Sequence, residues 1–289
     1  MATSPIMAVP KRAVSKEALR HGGCEFHYSV RGKGPPVLLI QGVGVQGNGW
    51  RPQTDDLSAD YTCLSFDNRG MGRSQPPAQA ITVAQMADDA RAIMDAEHWK
   101  SAHVVGHSLG GMVALQLALD RPDRVRSLSL MCTFASGRSA APLTPRMMWL
   151  GMRSRIGTRA MRRNSFLQLV MTPEERNNAE TSALIQKLPE LFGHDLADQP
   201  AIVNAQLDAM RNTDLTSRLT RLALIPTLVM AAAHDPIAPV AAGREIAYGI
   251  PGSRLVEFSD ASHGLPITHA PSVNSVLREH LQRAEKSWP

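Results

Sequence analysis

The sequence feature that most constrains this chain is the segment Gly-His-Ser-Leu-Gly-Gly at positions 106–111. It stands between a short apolar run at 102–105 and an apolar stretch at 109–120 that suits a helix. Gly-x-Ser-x-Gly between a strand and a helix predicts a sharp turn that leaves room only for glycine beside the serine. The turn would hold Ser108 above the positive end of the helix, which stabilises developing negative charge. This pattern is typical of a serine nucleophile; an incidental serine in a glycine-rich turn is the less favoured alternative.

Strand-like and helix-like segments alternate along most of the chain. The apolar runs are mostly too continuous for strands with one solvated face, so helices should cover both faces of a parallel sheet. We therefore predict a doubly wound α/β fold. The predicted strands are 26–30, 37–40, 61–66, 102–105, 128–131, 227–231 and 255–258, and the predicted helices are about 83–98, 109–120, 239–248 and 271–284.

The alternation stops between residues 137 and 220. This stretch holds five prolines, six methionines and helix-like segments, but no convincing strand pattern. We therefore predict a helical cap at 137–220, inserted into an α/β core formed by residues 1–136 and 221–289. Methionine suits a loosely shaped apolar pocket. Trp149, Met152 and Phe134 are the candidate substrate-binding residues, although ordinary core packing explains such side chains nearly as well.

The net charge of +5 is concentrated in the cap. Eight arginines between positions 138 and 176 accompany only two glutamates, which gives this segment +6 and leaves the rest of the chain at −1. So local an excess does not favour nucleic acid as a partner. Arg155, Arg159, Arg162 and Arg163 share one helix face by their spacing. We interpret that face as solvated; a site for an anionic acyl group is the alternative, because arginine pairs well with carboxylates.

A serine hydroxyl needs a base that takes its proton and an acid that orients the base. His263 follows the predicted strand at 255–258, and Asp235 follows the strand at 227–231. Both therefore lie beyond the carboxyl ends of parallel strands, where open α/β sheets bind ligands. In proteins with this kind of serine turn, the triad residues follow one another along the chain in the order Ser, Asp or Glu, His. We therefore predict a Ser108–Asp235–His263 triad. Asp260 and His269 are less favoured, since Asp260 is too near His263 and His269 begins the last helix.

The negative charge that forms when a serine attacks a carbonyl group needs hydrogen-bond donors. The N–H of Leu109, directly after the serine, is one predicted donor of this oxyanion hole. The other is the N–H of Val43, in the loop at 41–50 that follows the strand at 37–40. Four glycines in that loop let the backbone approach a ligand closely.

These motifs resemble the α/β-hydrolase superfamily, over about residues 24–285. The resemblance rests on the turn at 106–111, the segment Asp-Asn-Arg-Gly-Met-Gly-Arg-Ser at 67–74, and the order of Asp235 and His263. More narrowly, the chain is similar to the esterase, enol-lactonase and haloperoxidase-like group with a helical cap. The resemblance implies a mostly parallel eight-stranded sheet and a hydrogen-bonded turn at 67–74 that braces the oxyanion loop. The chain departs from the family at Gln41, where a histidine is usual.

The sequence thus predicts a serine hydrolase that cleaves a carboxylic ester or lactone through an acyl-enzyme. Dehalogenases and epoxide hydrolases of this fold are excluded because they need a carboxylate at position 108. Acyl transfer to peroxide, as in perhydrolases and haloperoxidases, is one alternative. A non-catalytic receptor or scaffold that keeps the pocket is another.

Cofactor, compartment and partners are predicted from what the sequence does not contain. The three cysteines have scattered spacing, and no His, Asp or Glu set has the spacing of metal ligands, so we expect no metal and no organic cofactor. No apolar run reaches the roughly 18 residues of a membrane span, and the basic start of the chain does not resemble a secretory signal. We expect a cytoplasmic monomer or homodimer that binds a small ester or lactone, without nucleic acid or membrane.

Overall fold

The computed structural model describes residues 14–75, 81–140 and 144–288. Its strands are β1 (Val14–His21), β2 (Cys24–Arg31), β3 (Pro36–Ile40), β4 (Thr62–Phe66), β5 (Ala102–His107), β6 (Val125–Met131), β7 (Thr227–Ala232) and β8 (Arg254–Phe258). They form one eight-stranded sheet in the order β1-β2-β4-β3-β5-β6-β7-β8. The pairs β1–β2 and β2–β4 are antiparallel, and the other neighbours are parallel. The predicted α/β fold with a mostly parallel sheet is confirmed.

Helices cover both faces of this sheet. They are α1 (Arg51–Leu57), α2 (Val83–Ala96), α3 (Leu109–Asp120), α4 (Pro145–Arg153), α5 (Arg159–Val170), α6 (Pro173–Asn177), α7 (Ala179–Phe192), α8 (Val203–Arg211), α9 (Val240–Gly249), α10 (Leu265–Thr268) and α11 (Ala270–Ser287). Leu38 and Ile40 of β3 belong to the core that contains α2 and α3. Val37 and Leu39 belong to the core that contains α1 and α11. Alternate residues of one strand are thus buried on opposite faces, which explains the continuous apolar runs.

Each predicted strand and helix of the core is present, but β1, α1 and α10 were not predicted. β1 is the edge strand and pairs with β2 through a turn at Gly22 and Gly23, whose φ angles are +50° and +73°. Its residues 17, 18 and 20 are exposed. An edge strand with so little buried surface carries no apolar pattern that a sequence analysis can detect.

Helices α4 to α8 lie between β6 and β7, and no strand occurs in the described part of this stretch. Ser136 and Asp214 form an isolated antiparallel bridge, and the N–H of Gly137 donates to the carbonyl oxygen of Thr213 at 3.0 Å. The two ends of the insertion therefore lie side by side. The boundaries of the cap at 137 and 220 stay predictions. No helix within the described ranges has the length and apolarity that a membrane crossing requires.

Candidate active site

Ser108 lies in the turn between β5 and α3, in a backbone conformation that non-glycine residues rarely adopt. Its φ is +54° and its ψ is −121°, and its N–H donates to the carbonyl oxygen of Met131 at 3.0 Å. Such strain persists only where the surrounding structure enforces it, and it concentrates at functional sites. A Cβ atom on Gly106 would lie 2.2 Å from the oxygen of Gly110, and one on Gly110 would lie 2.0 Å from the oxygen of Ile40. Both glycines are therefore required for the turn.

The structure brings Asp235 and His263 into direct contact. Nδ1 of His263 lies 2.7 Å from Oδ2 of Asp235, and both side chains are buried. The other carboxylate oxygen, Oδ1, accepts the N–H groups of Ile237 and Ala238, each at 2.8 Å. Burial, together with the nearby Asp235 carboxylate, raises the pKa of the Cys132 thiol well above its usual value. Three donors thus fix the Asp235 carboxylate.

The rival residues from the sequence lie elsewhere. Oδ2 of Asp260 is 3.5 Å from Nε2 of His269, and the Asp260 side chain is 77% exposed. Among the described residues, the carboxylate bonded to His263 is therefore that of Asp235.

His107, inside the turn itself, contacts the same histidine and was not predicted as a site residue. Its Nε2 lies 3.0 Å from the carbonyl oxygen of His263, and because a carbonyl only accepts, Nε2 carries the hydrogen. The two rings are 4.9 Å apart between centroids. Desolvation and the neighbouring His263 lower the pKa of His107 to about 3. His107 is therefore a neutral donor that holds the backbone of His263.

Hydrogen bonds from the segment at 67–74 hold the loop that follows β3. Oδ1 of Asp67 accepts the N–H of Gly47 at 2.9 Å, and Nδ2 of Asn68 donates to the carbonyl oxygen of Gln41 at 2.8 Å. The Gln41 side chain turns back and accepts the N–H of Gly42 at 2.9 Å. Gln41 therefore stabilises the loop in which the family usually has a histidine. Val43 lies in this loop, so the backbone that carries the predicted oxyanion donor is fixed by these hydrogen bonds.

Ser108, His263 and Val43 line one cavity of about 660 Å³. Most of its other lining residues are apolar and come from the cap, which encloses the site. Examples are Met147, Met148, Met152, Phe166, Leu207 and Met210. The size is that of a pocket for a small organic molecule. Among the described residues, no group of three or more His, Cys, Asp or Glu side chains is placed to hold a metal ion.

The structure places the three candidate substrate-binding residues differently. Met152 of α4 lines the cavity. Trp149, on the same helix, is half exposed and not among the lining residues; its ring lies 5.2 Å from the guanidinium carbon of Arg153. Phe134 is fully buried in the core against α3 and likewise does not line the cavity. These positions support substrate contact for Met152 and do not support it for Trp149 or Phe134.

The cap arginines divide into two sets. Arg159 lies 2.7 Å from Asp195 and 2.8 Å from Asp198, and Arg163 also pairs with Asp195. Exposed ion pairs of this kind contribute little to stability, and they fit the interpretation as a solvated face. Arg155 instead lines the cavity and bonds to the side chain of Asn204 at 2.9 Å. The spacing of the arginines did not distinguish these two environments.

Comparison with known proteins agrees with this geometry. The family model described as the alpha/beta hydrolase fold matches residues 35–270. A protein of Variovorax paradoxus proposed to be the carbamate hydrolase RutD is 33% identical over 266 residues, which cover 89% of this chain and 96% of that protein. The chain therefore belongs to the α/β-hydrolase family.

Two solved structures are similar over nearly their whole length. The enol-lactonase from Burkholderia xenovorans LB400 aligns with a TM-score of 0.79 and 25% identity, over 92% of this chain and 100% of that one. A thermophilic esterase from Thermogutta terrifontis aligns with a TM-score of 0.77 and 26% identity, over 93% and 99%. The predicted resemblance to an esterase and enol-lactonase group is confirmed, and the chain is a hydrolase.

Proposed function

We propose that this hydrolase cleaves a carboxylic ester or lactone through an acyl-enzyme formed on Ser108. The observation that carries the proposal is the common cavity, which Ser108 in its strained turn shares with a histidine that a buried aspartate orients. An unactivated serine needs neither that strain nor that pair.

The geometry suggests a role for each residue. The Asp235 carboxylate accepts a hydrogen bond from the Nδ1–H of His263, which leaves Nε2 as the basic nitrogen. Nε2 accepts the proton of Ser108 as Oγ bonds to the substrate carbonyl carbon, and then gives that proton to the departing alcohol oxygen. The N–H groups of Val43 and Leu109 stabilise the oxyanion. Water then attacks the carbonyl carbon of the acyl-enzyme while Nε2 of His263 takes its proton. The acid is released as that proton returns to Oγ of Ser108.

The lining of the cavity favours substrates with an apolar acyl or alcohol group. Five methionines, at 147, 148, 152, 171 and 210, form an adaptable wall, so discrimination between neighbouring chain lengths should be weak. The similar enol-lactonase and esterase support this substrate class. Carbamate cleavage is a second candidate, because a relative proposed to be a carbamate hydrolase is 33% identical. A carbamate offers the same kind of carbonyl carbon to Ser108.

A substrate panel tests the proposal. We expect turnover of p-nitrophenyl esters and of lactones of graded length, with the highest kcat/KM at medium chain length, and loss of turnover in the Ser108→Ala variant. A fluorophosphonate probe should label the wild type and not that variant. Faster cleavage of aryl carbamates than of esters would favour the second candidate, and preferential transfer to peroxide would favour a perhydrolase. Absence of both labelling and turnover would indicate a non-catalytic protein.

A further inference from the structure

Two side chains of the cap hold one glycine of the oxyanion loop. Oε1 of Gln206, on α8, accepts the N–H of Gly44 at 2.9 Å. Nε2 of His194, just after α7, lies 2.7 Å from the carbonyl oxygen of Gly44, which it can only approach as a donor. Both backbone polar groups of Gly44 are thus bonded to the cap.

The chain near Gly44 does not fix its own conformation. Gly44 has a φ of +71°, and glycine adopts many other conformations at little cost. Gly44 directly follows Val43, whose N–H is the proposed oxyanion donor. On the other side of Val43, Gln41 holds the N–H of Gly42. The direction of the Val43 N–H therefore depends on anchors at both neighbours, and the cap provides one of them.

We propose that Gln206 and His194 are positioning residues, which hold Gly44 so that the Val43 N–H is directed at the oxyanion. The inference rests on the proposed function. It assigns the cap a part in the chemistry in addition to its part in enclosing the substrate. Neither residue is required to touch the substrate; they act through the backbone of the loop.

The environment of Gln206 argues against a merely stabilising role. The side chain is completely buried, and its Nε2 group has no hydrogen-bond partner among the described residues. An unpaired buried donor costs stability, so an apolar side chain of similar size would suit packing better. The amide cannot simply be turned over, because its NH2 would then oppose the N–H of Gly44. What the amide provides at this position is an acceptor for Gly44.

The closing experiment compares matched variants with p-nitrophenyl acetate and butyrate. Gln206→Met keeps the size of the side chain and removes the acceptor. Complete loss of one oxyanion donor lowers kcat by about 10²- to 10³-fold. In Gln206→Met the Val43 N–H would be displaced and not lost, so we expect kcat to fall at least about tenfold, with KM within about threefold of the wild-type value. Both esters should be affected equally, since both form the same oxyanion. Gln168→Met, on α5 at a position that does not itself line the cavity, is the control and should match the wild type.

Variants of His194 test the same role independently, including in the case that Gln206→Met does not fold. His194→Leu should lower kcat in the same way, and His194→Gln should recover much of it, because an amide can donate to the Gly44 oxygen. A kcat within twofold of wild type in Gln206→Met, or equal losses in both His194 variants, would overturn the positioning role alone. A wild type that hydrolyses neither ester would instead contradict the proposed function, and the positioning role with it.

Discussion

Replacement of Asp235 by asparagine should disable catalysis by reversing one hydrogen bond. Oδ1 of Asp235 accepts the N–H groups of Ile237 and Ala238. Because backbone N–H groups only donate, an asparagine must place its carbonyl oxygen there. Its NH2 group then points at Nδ1 of His263, which lies 2.7 Å from the present carboxylate oxygen. Nδ1 has to accept that bond, and the ring hydrogen moves to Nε2.

A histidine with its hydrogen on Nε2 cannot take the proton of Ser108. In serine proteases the same substitution keeps the geometry and lowers kcat about 10⁴-fold. At 1.36 kcal/mol for each factor of ten, that equals about 5 kcal/mol of activation free energy. We expect a loss of this order here, with a nearly unchanged fold, because asparagine has the shape of aspartate and keeps both backbone bonds.

Steady-state hydrolysis of p-nitrophenyl acetate at neutral pH measures the effect. Asp260→Asn is the matched control, since this exposed carboxylate lies near His269; its kcat should stay within about twofold of wild type, as for most surface changes. Retention of more than about a tenth of the activity in Asp235→Asn would refute the tautomer mechanism. Loss of activity in Asp260→Asn would show that the wrong acid was chosen.

Two further predictions concern the cavity and the stability of the fold. Met152→Ala should shift the preferred acyl length in an ester panel, because Met152 lines the cavity, whereas Trp149→Ala, on the same helix, should not; a reversed result would contradict the assigned lining. Urea denaturation should show stability falling as pH drops from about 6.5, where histidines of the unfolded chain titrate, toward 4. Below about pH 6.5 the unfolded chain binds more protons than the folded one, because burial lowers the pKa of three histidines, His107 to about 3 and His103 and His280 to about 4. The cost is of the order of 2 kcal/mol per histidine at pH 5, and a flat profile between pH 7 and 5 would refute it.

Local sequence determined the elements that build the site. The turn at Ser108 could be predicted because its requirement is local: two glycines, a strand before and a helix after. Helix α3 begins at Leu109 and ends at Asp120, where the apolar stretch predicted it. Asp235 and His263 were found in the same way, since parallel strands bring their carboxyl ends to one edge of the sheet whatever the packing of the helices.

Tertiary structure decided which side chains meet. The spacing of Trp149 and Met152 places both on α4, but only the docking of that helix decides which of them lines the cavity. Phe134 follows β6 in the sequence and is buried in the core instead. Gln206 and His194 contact Gly44 across more than 140 positions of the chain, so no local pattern marks them. A hydrogen bond between distant segments depends on how the cap packs on the core, and that packing sums many weak contacts that no short window of sequence contains.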